Sequence, residues 1–324
     1  MIVRWGLDEL PGVLAMLGVE RPLLVTTQRW TKVDLPVESV FAGVRPHVPA
    51  ETVEAALAAS RDADGLLAVG GGSAIDTAKS VSARRDLPVV SVPTTYSGAE
   101  WTPGFGVRDE ARRVKGGGGG GRVEGIVYEP ELTMTLPIGE TVGTAMNALA
   151  HCAEALYVEG RNAEADEEAL AGASLVTSSL PTVVADGEDR EGRRELLEGA
   201  MHAGAALAGA GLGLGHAMAQ ALGGRYGIAH GAANAVCLPA ALRFNEPVAA
   251  VEIARFGTAI GSDDPASRLQ ELAALGGFRR LRELGVREED LGEVGAAASG
   301  RAGARANPRP ATGAEITELL RDLW

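Results

Sequence analysis

Residues 69–79 read VGGGSAIDTAK. The apolar run GLLAV at residues 65–69 is typical of a strand, and a helical pattern begins at Ser73 directly after the three glycines. Glycine has no side chain, so a ligand can approach the backbone closely. The free N–H groups and the positive end of the helix dipole then face that ligand, which suits a pyrophosphate. From the physics alone, a plain tight turn between strand and helix is an equal alternative.

A second loop with binding chemistry, VPTTYSGAE, follows the apolar run at residues 87–92. In an open parallel sheet, ligands bind outside the carboxyl ends of the strands, so both loops are expected at one edge. The hydroxyls of Thr94, Thr95 and Ser97 are suited to bond a cofactor amide or phosphate. A helix cap is the structural alternative for the same residues.

The pattern of the chain changes near residue 137. Residues 1–137 alternate apolar strand-like runs with helical patterns, which predicts a Rossmann-like α/β domain with a doubly wound parallel sheet. Residues 138–324 are predicted to form an all-α domain. The six glycines Gly116–Gly121 are interpreted as a flexible loop, with a ligand clamp as the alternative. Strands are predicted at 22–27, 40–44, 65–69, 87–92 and 125–128, and helices at 50–60, 73–83, 141–157, 163–185, 191–209, 214–222, 232–244, 249–261, 266–284 and 313–324.

Composition narrows the classes of function. The 324 residues carry a formal net charge of -13, which makes nucleic acids and anionic membranes poor partners but leaves a small anionic substrate open. The two cysteines, Cys152 and Cys237, do not form a disulfide framework and favour the cytoplasm. No signal-peptide pattern is present, and no uncharged apolar run is long enough to predict a membrane-spanning helix.

Three of the five histidines have suggestive neighbours. His151 follows Asn147 by four residues, so both side chains leave one face of a helix. His216 lies in another helical segment, and His230 lies at a predicted helix start. Imidazoles in such places can gather around a divalent cation, although spacing does not prove that they converge. The remaining two, His47 and His202, are interpreted as ordinary interior residues.

Four segments in order resemble the iron-containing alcohol dehydrogenase family: GGGSAIDTAK at 70–79, PTT at 93–95, YEPELT at 128–133 and HGAANAVCLP at 230–239. The resemblance extends from about residue 3 to the end and implies a dehydroquinate-synthase-like fold. Within the family, the chain is most similar to maleylacetate reductases. The segments that point to them are HVP at 47–49, TTY at 94–96 and MNALAHC at 146–152.

The resemblance implies a metal-ligand set at Asn147, His151, His216 and His230. Asparagine stands where metal-dependent members have aspartate, so iron or zinc should be held weakly, and a more positive site suits a dianionic substrate. A further departure is Asn234, which stands where maleylacetate reductases carry a second histidine. The chain also has Gly215, Ala217 and Gln220 around His216, where those enzymes usually carry further histidines and a lysine.

The resemblance also implies an NAD(P)H-dependent oxidoreductase that reduces a small oxo (di)carboxylic acid by hydride transfer in an interdomain cleft, with a role in aromatic compound catabolism. We expect a homodimer. NAD-specific relatives carry an aspartate after the first Val-Thr, whereas this chain has Thr27, so both NADH and NADPH are expected to be accepted. The implied cofactor-binding residues are Thr27, Gly70, Gly71, Gly72, Ser73, Asp76, Thr94, Thr95 and Ser97; the catalytic ones are His151, His216 and His230; the substrate-binding ones are Tyr96, Arg225 and Arg243.

Two alternatives remain open. The first is a metal-dependent alcohol dehydrogenase or aldehyde reductase of the same family. The second is a non-redox protein of the same fold, such as a sugar-phosphate cyclase. The cyclases have a strongly basic site with additional lysines, and this chain has only Lys32, Lys79 and Lys115.

Overall fold

The computed structural model describes residues 1–324 and divides into two compact units. Unit 1 comprises residues 1–95 and 99–133, and unit 2 comprises residues 96–98 and 134–324. Residues 96–98 thus follow a strand of the first unit in sequence but pack with the second.

Unit 1 contains a parallel six-stranded sheet, as the alternating pattern predicts, and the α/β fold class is confirmed. The strand order is β1-β8-β5-β4-β2-β3, and every pair is parallel. Its strands are β1 (Ile2–Trp5), β2 (Pro22–Val25), β3 (Ser39–Phe41), β4 (Gly65–Gly70), β5 (Pro88–Pro93) and β8 (Arg122–Tyr128), and its helices are α1 (Leu10–Met16), α2 (Ala50–Ala59) and α3 (Gly72–Arg85).

The two candidate cofactor loops lie at the carboxyl ends of the neighbouring central strands β4 and β5. Gly70 pairs with Pro93 at the end of that ladder. The strands are apolar and buried on both faces, as a sheet covered by helices requires, so the loops extend from a fixed base.

The first half of the glycine run is a strand, so the loop prediction is wrong for Gly116–Gly118, whereas residues 119–121 lie outside regular structure. Residues 116–118 belong to β7 (Val114–Gly118), which pairs antiparallel with β6 (Phe105–Asp109) in a separate two-stranded ribbon. Backbone ladder hydrogen bonds need no side chains, which is why a run that lacks them can still form a strand.

Unit 2 is entirely helical apart from its connections, and this prediction is confirmed. Its central helix, α4, is buried along nearly its whole length, because small residues such as Ala145 and Ala148 let neighbouring helices approach. The helices are α4 (Ile138–Ala155), α5 (Ala163–Ala185), α6 (Arg190–Ala210), α7 (Leu214–Tyr226), α8 (His230–Ala259), α9 (Pro265–Leu275), α10 (Leu291–Ser299), α11 (Ala302–Arg305) and α12 (Gly313–Asp322).

Helix α5 departs from the expectation that no segment could span a membrane. By length and mean hydropathy it is apolar enough to do so, and it is the one helix of the chain with that property. In the structure it packs against α4 and α6. Its apolar residues, including Val176 and Leu180, are buried there, as in the core helix of a globular domain.

Candidate active site

The glycine loop after β4 forms a tight cradle at the start of α3. Gly71 is the N-cap of this helix, and its carbonyl accepts hydrogen bonds from the N–H groups of Ala74 and Ile75. A β-carbon at Gly71 would lie 2.9 Å from Thr95 Cγ2, so any larger residue would displace the Thr95 side chain of the second loop. The predicted residues Gly70, Gly71, Gly72 and Ser73 therefore surround one helix N-terminus, where the dipole favours an anion.

The hydroxyl loop after β5 is joined to the glycine loop. The N–H of Thr94 donates to the carbonyl of Gly70 at 3.1 Å. The hydroxyl of Thr95 is buried and has no hydrogen-bond partner in the protein. Buried polar groups are almost always paired, so this hydroxyl is suited to bond a ligand. In unit 2, the buried hydroxyl of Ser97 also lacks a protein partner.

Asp76 and Thr27, which are also predicted to bind the cofactor, both contact other residues of unit 1. One carboxylate oxygen of Asp76 lies 2.9 Å from Lys79 Nζ, and the other accepts from the N–H of Gly106 at 3.0 Å. The structure therefore engages each oxygen of Asp76 in one bond within the protein, and its contact with a cofactor stays a prediction. Thr27 is half-buried just beyond the end of β2 and pairs with Gly43 in an isolated bridge.

The three histidines singled out in the sequence converge in unit 2. The rings of His151 and His216 stack with their centroids 4.8 Å apart, and the ring of His230 lies 5.4 Å from that of His216. Their helices are α4, α7 and α8, which pack against one another. Two amides, Asn147 and Asn234, lie among the rings, and we call these five residues the imidazole–amide cluster.

Hydrogen bonds fix the orientation of both amides. The Nδ2 group of Asn147 donates to the Ser97 carbonyl at 2.9 Å, and a carbonyl can only accept. Oδ1 of Asn147 therefore faces the other way, where it accepts from Asn234 Nδ2 at 2.7 Å and lies 3.3 Å from His216 Nε2. Asn234 Nδ2 also lies 3.2 Å from His230 Nε2. Asn147 Nδ2 lies 3.5 Å from His151 Nε2, so each imidazole has an amide atom within 3.5 Å.

A buried carboxylate orients His216 from the side opposite the amides. Glu154 Oε2 lies 2.7 Å from His216 Nδ1 and accepts the N–H of Gly213 at 2.7 Å. Its Oε1 accepts the backbone N–H of His216 at 3.2 Å. Glu154 is 0% exposed, so this set of bonds replaces its water. The carboxylate therefore fixes the ring of His216 and places a hydrogen on Nδ1.

Two buried polar atoms of the cluster have no partner in the protein: His151 Nδ1 and Asn234 Oδ1. Burial, with a contribution from His216, holds the pKa of the His151 imidazole well below its ordinary value, so this ring is neutral at pH 7. A neutral imidazole with an unpaired nitrogen and an amide with an unpaired oxygen can together bond a polar ligand.

The implied metal ligands lack the anionic aspartate that would strengthen the binding of a divalent cation. The four side chains offer three imidazoles and one amide oxygen, and the nearby carboxylate of Glu154 contacts His216 at Nδ1, on the side away from the amides. The amide oxygen already accepts a hydrogen bond from Asn234. No group of three or more His, Cys, Asp or Glu side chains in the chain is arranged to hold a metal ion. The amides bond the imidazoles in this arrangement, but imidazole itself is a good ligand for iron and zinc.

The three predicted substrate residues lie elsewhere than expected. Tyr96 is fully buried, and its hydroxyl accepts from Arg193. Arg225 forms ion pairs with Asp290 and Glu293, and it follows His216 by nine residues, two and a half turns of α7, so it leaves the opposite side. Arg243 donates to Ser267 and lies about 20 Å along α8 from His230. Nearness in sequence did not place either arginine at the cluster.

Sequence reasoning missed two members of this site. Glu154 follows His151 by three residues on α4, a spacing that places both on one helix face and was available as a signal. Asn234 drew notice only as a departure, yet it lies four residues after His230 on the same face of α8. Burial of both side chains depends on packing between helices, which local spacing does not show.

Comparison with known proteins shows similarity to iron-containing alcohol dehydrogenases and to maleylacetate reductases. Residues 3–120 match the family model for iron-containing alcohol dehydrogenase, and residues 141–324 match the C-terminal model of the Fe-containing alcohol dehydrogenase family. The maleylacetate reductase of Sphingobium indicum is 36% identical over 87% of this chain and 80% of its own length. That of Pseudomonas knackmussii is 34% identical over 98% and 93%. The crystal structure of maleylacetate reductase from Rhizobium sp. strain MTP-10005 has a TM-score of 0.88 at 30% identity and covers 100% of this chain and 95% of that one.

Proposed function

The chain belongs to the iron-containing alcohol dehydrogenase family and is an oxidoreductase, and on that premise we propose that it reduces a small oxo dicarboxylic acid of the maleylacetate type with NADH or NADPH. The observation that carries the proposal is the imidazole–amide cluster. It offers His151 Nδ1 and Asn234 Oδ1 as unpaired buried polar atoms, and no carboxylate faces the amides. A dianionic substrate meets less repulsion at such a site than at one built around aspartate.

A nicotinamide cofactor fits the loops of unit 1. The cradle at Gly70–Ser73 would hold the pyrophosphate of the cofactor. The buried hydroxyl of Thr95, which has no partner in the protein, would bond the cofactor there. When bound, the cofactor supplies a hydride from nicotinamide C4. At the end of β2, Thr27 brings no negative charge against a 2′-phosphate, which supports acceptance of both cofactors. Arg29 stacks on Trp30, with its guanidinium carbon 4.7 Å from the ring centroid.

The residues of the cluster have separate tasks in such a reduction. Hydride addition to the carbon–carbon double bond conjugated with the ketone leaves an enolate, whose negative charge lies mainly on oxygen. Imidazole N–H groups can stabilise that oxygen, and a histidine then gives a proton to the neighbouring carbon. His216 is held in one orientation for this by Glu154. One hydride and one proton are added in total.

The buried thiols of Cys152 and Cys237 and the absence of a disulfide support a place in the reducing cytoplasm. Burial raises the pKa of both thiols well above the ordinary value, so neither is a nucleophile at neutral pH. Assembly as a homodimer remains part of the proposal.

The proposal is tested with the purified protein and a panel of oxo acids. NADH and NADPH oxidation is followed at saturating cofactor with maleylacetate, a saturated 3-oxo acid, a simple aldehyde and a sugar phosphate. We expect oxidation with maleylacetate and little with the aldehyde or the sugar phosphate. Preference for the aldehyde that requires added iron would favour the metal-dependent alcohol dehydrogenase instead.

A further inference from the structure

Arg193 is a buried cation without an acidic partner. Its side chain is 2% exposed and extends from the first turn of α6 into the interior of unit 2. Its hydrogen bonds go only to neutral oxygens: the Gly187 and Leu136 carbonyls and the hydroxyls of Tyr96 and Thr141. Burying a charge is costly unless it is well bonded, so a guanidinium kept in this place needs a reason beyond packing.

The Tyr96 hydroxyl ties this cation to the three-residue segment 96–98. Arg193 donates to Tyr96 Oη at 3.3 Å, and the backbone N–H of Tyr96 donates to Thr144 Oγ1 at 3.3 Å. The phenol ring is 0% exposed, so the segment is anchored at its first residue from both side chain and backbone.

The other two residues of the segment contact the cluster directly. The Ser97 carbonyl accepts from Asn147 Nδ2 at 2.9 Å and so decides which way that amide faces. Gly98, in the left-handed region with φ +68, packs on the His151 ring, where an added β-carbon would lie 3.4 Å from Cε1 and Nδ1. A displaced segment would release the amide of Asn147 and open the face of His151.

We propose that Arg193 is a positioning residue for the reaction: through the Tyr96 hydroxyl it holds segment 96–98 in register, and the Ser97 carbonyl then sets the Asn147 amide among the three imidazoles. This inference rests on the proposed function for its kinetic consequence but not for its structural one. It also gives Tyr96 a role different from the substrate contact that the sequence suggests.

Thr141 provides the matched control, because its hydroxyl accepts from the same guanidinium at 2.9 Å and donates to the Leu136 carbonyl, with no bond to segment 96–98. Tyr96→Phe and Thr141→Val each remove one oxygen from Arg193 and keep the shape of the side chain. Both variants should lose similar thermal stability. Only Tyr96→Phe should lower kcat, by about tenfold, or ~1.4 kcal/mol of activation free energy, while the Kd for NADPH changes less than twofold. Arg193→Lys keeps the charge but not the planar fork, and it should behave like Tyr96→Phe.

An activity-independent measurement separates this inference from the proposed function. The chain has five asparagines, so selective ¹⁵N-asparagine labelling gives a short list of side-chain amide signals, and Asn147→Asp assigns one of them. Tyr96→Phe should shift the Asn147 amide signal and speed its exchange with water, whereas Thr141→Val should leave both unchanged. If the wild type reduces no oxo acid but the amide responds in this way, the proposed function fails and the positioning role stands. Equal effects of the two variants on kcat, or an unmoved Asn147 signal in Tyr96→Phe, would overturn the positioning role.

Discussion

Glu100 makes the stability of unit 1 depend on pH. Its carboxyl is 1% exposed; Oε1 accepts from the Tyr128 hydroxyl at 3.1 Å, and Oε2 has no partner. Burial raises the pKa of Glu100 from 4.5 to about 7, although bonds to backbone and Tyr128 and the charge of Lys79 oppose the rise. A carboxyl whose pKa is raised on folding stabilises the fold below pH 4.5 relative to higher pH. That stability is lost as the pH rises from 4.5 through about 7.

Glu100→Gln removes this dependence. The pKa of Glu100 differs by about 2.5 pH units between the unfolded and the folded state. At ~1.4 kcal/mol per unit, the wild type loses about 3 kcal/mol of its free energy of unfolding as this carboxyl ionises. Glutamine resembles the protonated acid, so the variant should match the wild type near pH 4.5 and exceed it by up to about 3 kcal/mol at pH 8. Urea unfolding measured from pH 4.5 to 8.5 gives the difference.

Glu20→Gln is the control for this comparison, because Glu20 lies on the surface of the same unit. Its curve should follow that of the wild type throughout. If Glu100→Gln also follows the wild type between pH 5 and 8, the carboxyl is ionised in the fold at low pH and the reasoning from burial is wrong.

Three further predictions concern the binding loops and the cluster. Gly71→Val should abolish NADH and NADPH binding in a fluorescence titration, because its β-carbon would meet Thr95 at 2.9 Å. Gly119→Val is the control and should bind both cofactors normally, because Gly119 has open space around it. Normal affinity in a folded Gly71→Val would refute the cradle. Thr27→Asp should shift the ratio of kcat/KM for NADPH over NADH downward several-fold, since a new like charge near a 2′-phosphate costs ~1 kcal/mol, and an unchanged ratio would show that this position does not contact the ribose. Alanine at His151, His216 or His230 should each lower kcat/KM more than about tenfold without loss of NADPH binding, and wild-type rates would remove that histidine from the mechanism.

Much of the fold follows from local patterns. The apolar runs that end in glycine or hydroxyl loops were correctly predicted as parallel strands, and helix α5 has the predicted bounds, Ala163–Ala185. Strand β1 escaped prediction because Arg4 interrupts its apolar pattern at an exposed position. The helix predicted over 266–284 ends instead at Leu275, where two glycines follow and Gly277 adopts φ +81.

Long-range packing accounts for the remaining differences. The segments 232–244 and 249–261 were predicted as separate helices, and α8 is indeed two helical segments joined at a kink, where Ala249 has non-helical backbone two residues after Pro247. The sequence neighbours of His151, His216 and His230 indicated that these three side chains could converge. In contrast, Arg193 lies in the charged stretch REGRRELLEG, where its burial has no local signal and arises from contacts that include α4 and segment 96–98.

The measurement that tests the central claim most directly is the transfer of deuterium from labelled cofactor to product after dialysis against chelator. Maleylacetate is incubated with the enzyme and NADPH that carries deuterium at one or the other face of nicotinamide C4, and the product is analysed by mass spectrometry. The imidazole–amide cluster predicts one deuterium in the reduced acid from one of the two labels, at a rate that chelator leaves largely intact, because Asn147 provides no anionic metal ligand. Loss of turnover on chelation with stoichiometric recovery on adding iron or zinc, or oxidation of the cofactor with no deuterium in the acid, would contradict it.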